Sequence, residues 1–283
     1  MPNQDVLIQP ETLDHPLSSG CPPSWASGWG DDEFGPWVEI SVKRVTQRLR
    51  WIPPGKFYYG SPKGEEGRFD WEALQQEKMV RQVFWIFDTP CTQAMWEAVM
   101  ANNPSHFKGA NRPVETVSWD DCQQFVKKLN EIIVGLNVSL PTEEQWECAC
   151  RAGSDRPRYS EDLDSIAWYD KNSKAETHEV ALKKPNAWGL YDMLGNVWEW
   201  CDSRFKPDDA KDETLANRVI RGGAWYDPAG YARAACRHAR HQGYRDDGLG
   251  FRCSSSESEP EKSRRQPETE RSPAAASVRR RES

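Results

Sequence analysis

The 283-residue chain contains no apolar run of the roughly 18 or more residues that a membrane-spanning helix needs, so none is expected. It has no excess of positive charge: 37 Lys and Arg stand against 44 Asp and Glu, a net charge of −7. A general grip on nucleic acid needs a basic face, and this balance argues against that class. The opening residues, MPNQDVLIQPETLDHP, have neither the basic start nor the apolar core of a secretory signal. Cytoplasmic residence is the resulting expectation. There is no internal repeat. Histidine is scarce, and residues 15, 106, 178, 238 and 241 form no HxxxH or HxxEH pair. His238 and His241, in CRHARHQ, read as polar loop histidines. Cysteine pairs at zinc-knuckle spacing are also missing, since Cys148 and Cys150 are separated by one residue. In a chain neither small nor visibly secreted, the eight cysteines read mostly as buried thiols.

What the chain has in abundance is tryptophan, with 14 residues in a hydrophilic sequence. Each indole buries a large area and wants a partner for its N–H, which points to a loop-rich fold with rings as its core. Three stretches carry helical spacing and a cap. Thr92 precedes Met95, Trp96, Val99 and Met100; Ser118 precedes Cys122, Phe125, Val126 and Leu129; Thr142 and Gln145 form a capping box for TEEQWECACRA, which stops at Gly153. VTQRLRWIPPGKFYYGSP and VRQVFWIFDTP read as strands, KGEEGRFDWEALQQEK as a polar loop. Residues 1–43, rich in Pro, Gly and Trp, read as an irregular arm over the main domain, residues 44–253. Residues 254–283 have almost no apolar side chains and read as a disordered polar tail.

Seven phrases in order then become specific: IPPGKFYYGSP, TQAMWEAVM, PVETVSWDDCQQFVKKLN, LPTEEQWECACRAG, NAWGLYDMLGNVWEWCDS, RVIRGGAW and GLGFRC. Together they resemble the formylglycine-generating, or sulfatase-modifying-factor, family. The resemblance implies an α+β, C-type-lectin-like fold: a small antiparallel sheet, short helices and much irregular loop. It also implies chemistry that this chain does not carry. The family's enzymes bind copper through two cysteine thiolates, four and nine residues past the second glycine of the RGG phrase. Those positions are Asp227 and Ala232 here, and the family's serine after the glycines is Ala224. A carboxylate and a methyl do not replace two soft thiolates. Cys236 lies further on, and Cys201 or Cys253 would have to be brought close by loops to complete a pair. A second branch of the family uses nonheme iron held largely by histidines of an extra helical domain, for which this chain has neither the histidines nor the room. Neither copper nor iron is therefore expected.

The resemblance also implies a structural calcium ion in YDMLGNVWEW, held by the carboxylates of Asp192 and Glu199 and the backbone oxygens of Gly195 and Val197. Between the framework phrases GGAW and LGFR stand Tyr226, Asp227, Tyr231, Arg233, His238, Arg240, His241, Tyr244 and Asp246. Tyr, Arg, His and Asp on rigid loops are what recognition surfaces use. The arrangement resembles the variable proteins of diversity-generating retroelements, which carry a lectin-like domain with a diversified patch between such framework pieces. A non-catalytic protein that contacts a protein or small molecule through residues 226–247 is one expectation. A formylglycine-generating-type oxidase, or a related nonheme-metal enzyme, acting on a protein cysteine is the alternative.

Overall fold

The computed structural model describes residues 17, 18, 20–205 and 217–256. Strands β1 (Gly28–Asp32), β2 (Gly35–Val42) and β3 (Val45–Ile52) form an antiparallel meander. Strands β4 (Gly55–Tyr59) and β5 (Gln76–Val80) pair as a separate ribbon, and β6 (Phe84–Phe87) joins β3. Helices α1 (Gln93–Met100) and α2 (Trp119–Ile132), strand β7 (Val138–Ser139) and helix α3 (Glu143–Arg151) follow. The second half supplies β8 (Trp198–Arg204), β9 (Asn217–Arg221), β10 (Arg237–His241), β11 (Leu249–Gly250) and β12 (Ser254–Ser256). The strands lie in a six-stranded sheet ordered β1-β2-β3-β6-β12-β7, a four-stranded sheet ordered β10-β9-β8-β11, and the β4–β5 ribbon.

The three helices start where their caps require. Thr92 Oγ1 accepts from Met95 N, and full capping boxes close at Ser118 with Asp121 and at Thr142 with Gln145. Each helix buries one face: Met95, Trp96 and Val99 in α1, and Cys122, Phe125 and Leu129 in α2. Trp96 stacks on Phe125 at 5.4 Å, and Phe251 packs edge-on to both rings. A second apolar cluster, around Trp146, Phe57, Phe84 and Leu194, lies against α3.

Three boundaries differ from the sequence expectation. The arm proposed for residues 1–43 is regular from Gly28 onward, because Val38, Ile40 and Val42 alternate inward along β2 and are covered by the first cluster. Residues 1–16 lie outside the described part. At the other end, Ser254–Ser256 is a strand rather than the start of a tail. It slots antiparallel between β6 and β7, so both of its edges are paired. Backbone hydrogen bonds do not depend on apolar side chains, so a serine run conceals a central strand. Residues 257–283 lie outside the described part. The polar loop also ends early, as Gln76–Val80 becomes β5.

The long loops are ordered by buried amides that act as internal brackets. Gln93 donates to Phe107 O and Pro113 O and accepts from Asn103 and Gly109 N. Asn186 donates to Ala149 O and Cys150 O and accepts from Trp188 N and Leu190 N. Each amide satisfies backbone groups that no strand reaches.

Candidate binding face

Strand β9 ends in Gly222, whose φ of 100° and 3.0 Å approach to Met193 O, measured from an added Cβ, leave no room for a side chain. The chain turns there, runs as loop through residues 224–236, and returns as β10 against β9 with Arg237 opposite Arg221. The loop is anchored from below: the Arg221 guanidinium donates to Ala234 O and Ala235 O and pairs with Glu147. A second loop, residues 242–248, leads into β11, which lies parallel to β8.

Tyr226 and Tyr244 come from these two loops, and each is 39% exposed. Both hydroxyls donate to one carboxylate, Tyr226 to Asp246 Oδ1 at 2.7 Å and Tyr244 to Oδ2 at 3.0 Å. Gly248 N donates to Oδ1 as well. A Cβ at Gly248 would stand 2.4 Å from the Tyr226 ring, so the bare backbone lets that ring lie flat. Asp246 is therefore the clamp that holds two exposed tyrosines, and it is largely used up in doing so. Arg240 lies over the Tyr244 ring at 5.4 Å. His241 is exposed, with Nδ1 accepting from Gly243 N.

Asp227 has a bracing role. Its Oδ2 accepts from Trp198 Nε1 at 2.7 Å and from Ala224 N at 2.9 Å, which ties the loop to β8. Burial raises its pKa to about 6 against those two bonds. The folded value lies above the usual carboxylate value, so this group weakens the fold as pH rises from about 4 to about 6. Asp227→Asn keeps an acceptor for both donors and removes that loss. Its urea midpoint should change less across that window than the parent's, and near neutrality it should be more stable by about 1–2 kcal/mol.

Arg233, expected on the surface, is 1% exposed. It pairs with Glu65 and Glu72 and donates to Gly67 O and Gly230 O, so it locks the 63–75 loop under the face. An arginine beside alanines in sequence gives no hint that two glutamates some 160 residues away wait for it.

That same loop contributes residues that sequence reasoning missed. Trp71 is 45% exposed, yet its Nε1 donates to Arg237 O and its ring stacks on Phe69 at 4.7 Å and 7°. Phe69 packs on Tyr231, Tyr231 on Trp198, Trp198 on His238 and His238 on Trp71, closing a circuit of aromatic contacts. Two rings inside an otherwise polar loop were the available signal. His238 Nδ1 accepts from Ala239 N and faces Arg240 Nη1, so the proton of the neutral ring sits on Nε2. Burial, then Arg240, lower its pKa.

The turn proposed for calcium is buried and separate from this face. Asp192, at φ 51°, accepts from Ala181 N through Oδ2, and its Oδ1 has only a 3.5 Å contact with Asn196. Glu199 Oε2 accepts from Trp146 Nε1 and Arg252 Nε, whereas Oε1 accepts one bond, from Arg252 Nη2. Gly195 N donates to Gly222 O, and Val197 is 1% exposed. One guanidinium faces two buried carboxylates here, and one oxygen of each keeps a free lone pair. The described residues include no group of three or more His, Cys, Asp or Glu side chains that could hold a metal ion, so a hard cation at this turn would need backbone carbonyls besides the two carboxylates.

Cys201, Cys236 and Cys253 are fully buried, and burial pushes all three up, Cys236 to about 12. Protonated thiols in apolar surroundings are poor ligands. Ala232, at the second thiolate position, is 2% exposed.

Residues 39–256 match the family described as sulfatase-modifying factor enzyme 1-like domain. The chain belongs to this family. Among family relatives, it is 31% identical over 208 residues to the inactive C-alpha-formylglycine-generating enzyme 2 of Mus musculus, a match covering 67% of this chain and 63% of that protein. It is 31% identical over 178 residues to the formylglycine-generating enzyme of Streptomyces coelicolor, covering 50% of this chain and 52% of the enzyme. The chain thus spans from about half to just under two thirds of the length of these relatives. The structure of Treponema denticola variable protein 1 superposes with a TM-score of 0.68 at 28% identity, over 77% of this chain and 98% of the other. The α+β, lectin-like scaffold and the likeness to the variable-protein branch both follow. Among the described residues, no helix is long and apolar enough to cross a membrane.

Proposed function

We propose that this sulfatase-modifying-factor-type domain is a non-catalytic binding protein whose face, residues 226–247, contacts a protein or small molecule. One observation carries the reading. At the two positions where the family's oxidases need thiolates, a bracing carboxylate and a buried methyl stand instead, and the neighbouring Tyr226 and Tyr244 are exposed on a shared clamp. Rigid tyrosines offer contact area and a hydrogen bond at small entropic cost. The likeness to a variable protein and to a relative named inactive supports the same direction. Incubation with copper(I) and a sulfatase-type cysteine peptide should give no aldehyde by mass spectrometry. An aldehyde product would replace this reading with the oxidase. For the diversified version, the neighbouring DNA should hold a reverse transcriptase and a near-copy of the segment coding for residues 222–252.

The proposal includes a structural calcium ion, held by Asp192, Glu199 and the Gly195 and Val197 carbonyls, that pins the turn before β8. Chelation should lower the melting temperature and added calcium should restore it. A ligand at a hundredfold its Kd stabilises by about 2.7 kcal/mol, so the shift should be several degrees. In Asp192→Ala the melting temperature should no longer respond to calcium. A parent protein indifferent to chelator removes the ion from the scheme.

A further inference from the structure

The clamp accounts for Tyr226, Tyr244 and Asp246 but leaves a second group of atoms on the same face without employment. The Trp71 ring is stacked on Phe69 and tethered through Nε1, so a large exposed indole is held still. Such a ring gains little by packing within its own chain and pays no ordering entropy when something lands on it. Beside it, His238 Nε2–H, the Tyr231 hydroxyl and Asp227 Oδ1 have no hydrogen-bond partner among the described residues, and none of the three is a buried unsatisfied atom. They are open to solvent, and the aromatic circuit joins their residues: Trp71 to His238, His238 to Trp198, Trp198 to Tyr231, with Asp227 bonded to the Trp198 indole.

The set holds one donor only, one acceptor only and one hydroxyl that does both. The set also meets both signs of charge, the Asp227 carboxylate and Arg240, whose Nη1 stands 3.0 Å from His238 Nδ1. An organic cation would meet the arginine, and an anion would meet the aspartate. A neutral ligand whose own groups both donate and accept, and which presents a flat apolar side to the indole, satisfies every member.

We infer that the Trp71–Tyr231–His238–Asp227 group binds the pyranose ring of a carbohydrate, with the C–H face of the sugar on Trp71 and its hydroxyls donating to Asp227 and accepting from His238 and Tyr231. This rests on residues 226–247 being a binding face and names the ligand class for part of it.

The full chain should be titrated with glucose, galactose, mannose, N-acetylglucosamine and their β-linked disaccharides, with choline as a cationic control. Saturation-transfer NMR and tryptophan fluorescence read the binding. Saturable binding of at least one pyranoside is expected, with transfer concentrated on the C–H protons of one ring face. Trp71→Ala should weaken it at least about tenfold, and Tyr231→Phe, which keeps the ring, several-fold. Val134→Ala, at an exposed position between α2 and β7 and outside the face, should leave it unchanged and serves as the folded control. The inference is overturned if no pyranoside binds saturably, if binding survives Trp71→Ala, or if choline binds in their place. Should a protein ligand be captured through Tyr226 and Tyr244 while no sugar binds, the binding face stands and the carbohydrate assignment falls. Aldehyde formation on a cysteine peptide, by contrast, removes the binding-face reading itself.

Discussion

Glu147→Gln should lower the folding stability of this domain by about 3–5 kcal/mol, among the largest losses available from a single isosteric change. Glu147 is 0% exposed and sits at the crossing of three elements. Its Oε1 accepts from Gly60 N, at the end of β4, and from two nitrogens of Arg151, one turn along α3. Its Oε2 takes the Arg221 guanidinium, which in turn holds Ala234 O and Ala235 O beneath the binding loop. Burial by itself would lower the pKa of Arg221, and Glu147 with Glu143 more than offsets that, holding it above its usual value. Glutamine keeps the shape and removes the charge, so two buried guanidinium groups are left with too little countercharge. The midpoint of urea unfolding should fall with an unchanged slope. Glu77→Gln is the control: its partner Lys56 is more than half exposed, and such pairs contribute from nothing to about 1 kcal/mol. Equal losses in the two variants would mean that the buried network does not hold the loop.

This network explains the limits of reading the chain as a string. Helices α1, α2 and α3 were legible because cap, spacing and stop all lie within a dozen neighbouring residues. The framework of the face was legible because RGGAW and GLGFRC carry their own geometry. Arg233 was not, because its partners Glu65 and Glu72 sit in a loop that looked merely polar. Nor was Trp71, whose tether is the carbonyl of Arg237, 166 residues away. β12 was hidden for a third reason: its side chains are serines, and backbone bonds place it between β6 and β7, with the Ser255 hydroxyl donating to Leu136 O. The composition of the 226–247 segment suggested a uniformly exposed set, whereas the fold sorts it. Arg233 and Asp227 brace, Asp246 clamps, and Tyr226, Tyr244 and His241 face outward, with His238 and Tyr231 half-buried beside the indole.

Arg252→Met provides the sharpest test of the turn before β8. The Arg252 side chain is fully buried, and its bonds end on that turn and on the end of β6: Glu199 twice, Tyr191 O, Asp192 O and Phe87 O. Methionine fills similar space with no donors. Glu199 is then left with Trp146 Nε1 alone, Asp192 loses a facing positive charge, and three carbonyls lose a partner. Removing one member of a buried pair in this way costs about 3–5 kcal/mol. For a domain of this size each kcal/mol moves the melting temperature by roughly 2–4 °C, so a drop of about 10 °C is expected in chelator. Calcium then separates two accounts of the turn. If the ion sits among Asp192, Glu199 and the Gly195 and Val197 carbonyls, the variant carries one more uncompensated negative charge there, and added calcium should recover a larger part of the loss than it adds to the parent. If Arg252 is the only cation of this turn, calcium should leave both proteins where chelator left them. Thermal melts of the pair, with calcium and with chelator, decide between an internal guanidinium that stands alone and one that shares two carboxylates with an ion.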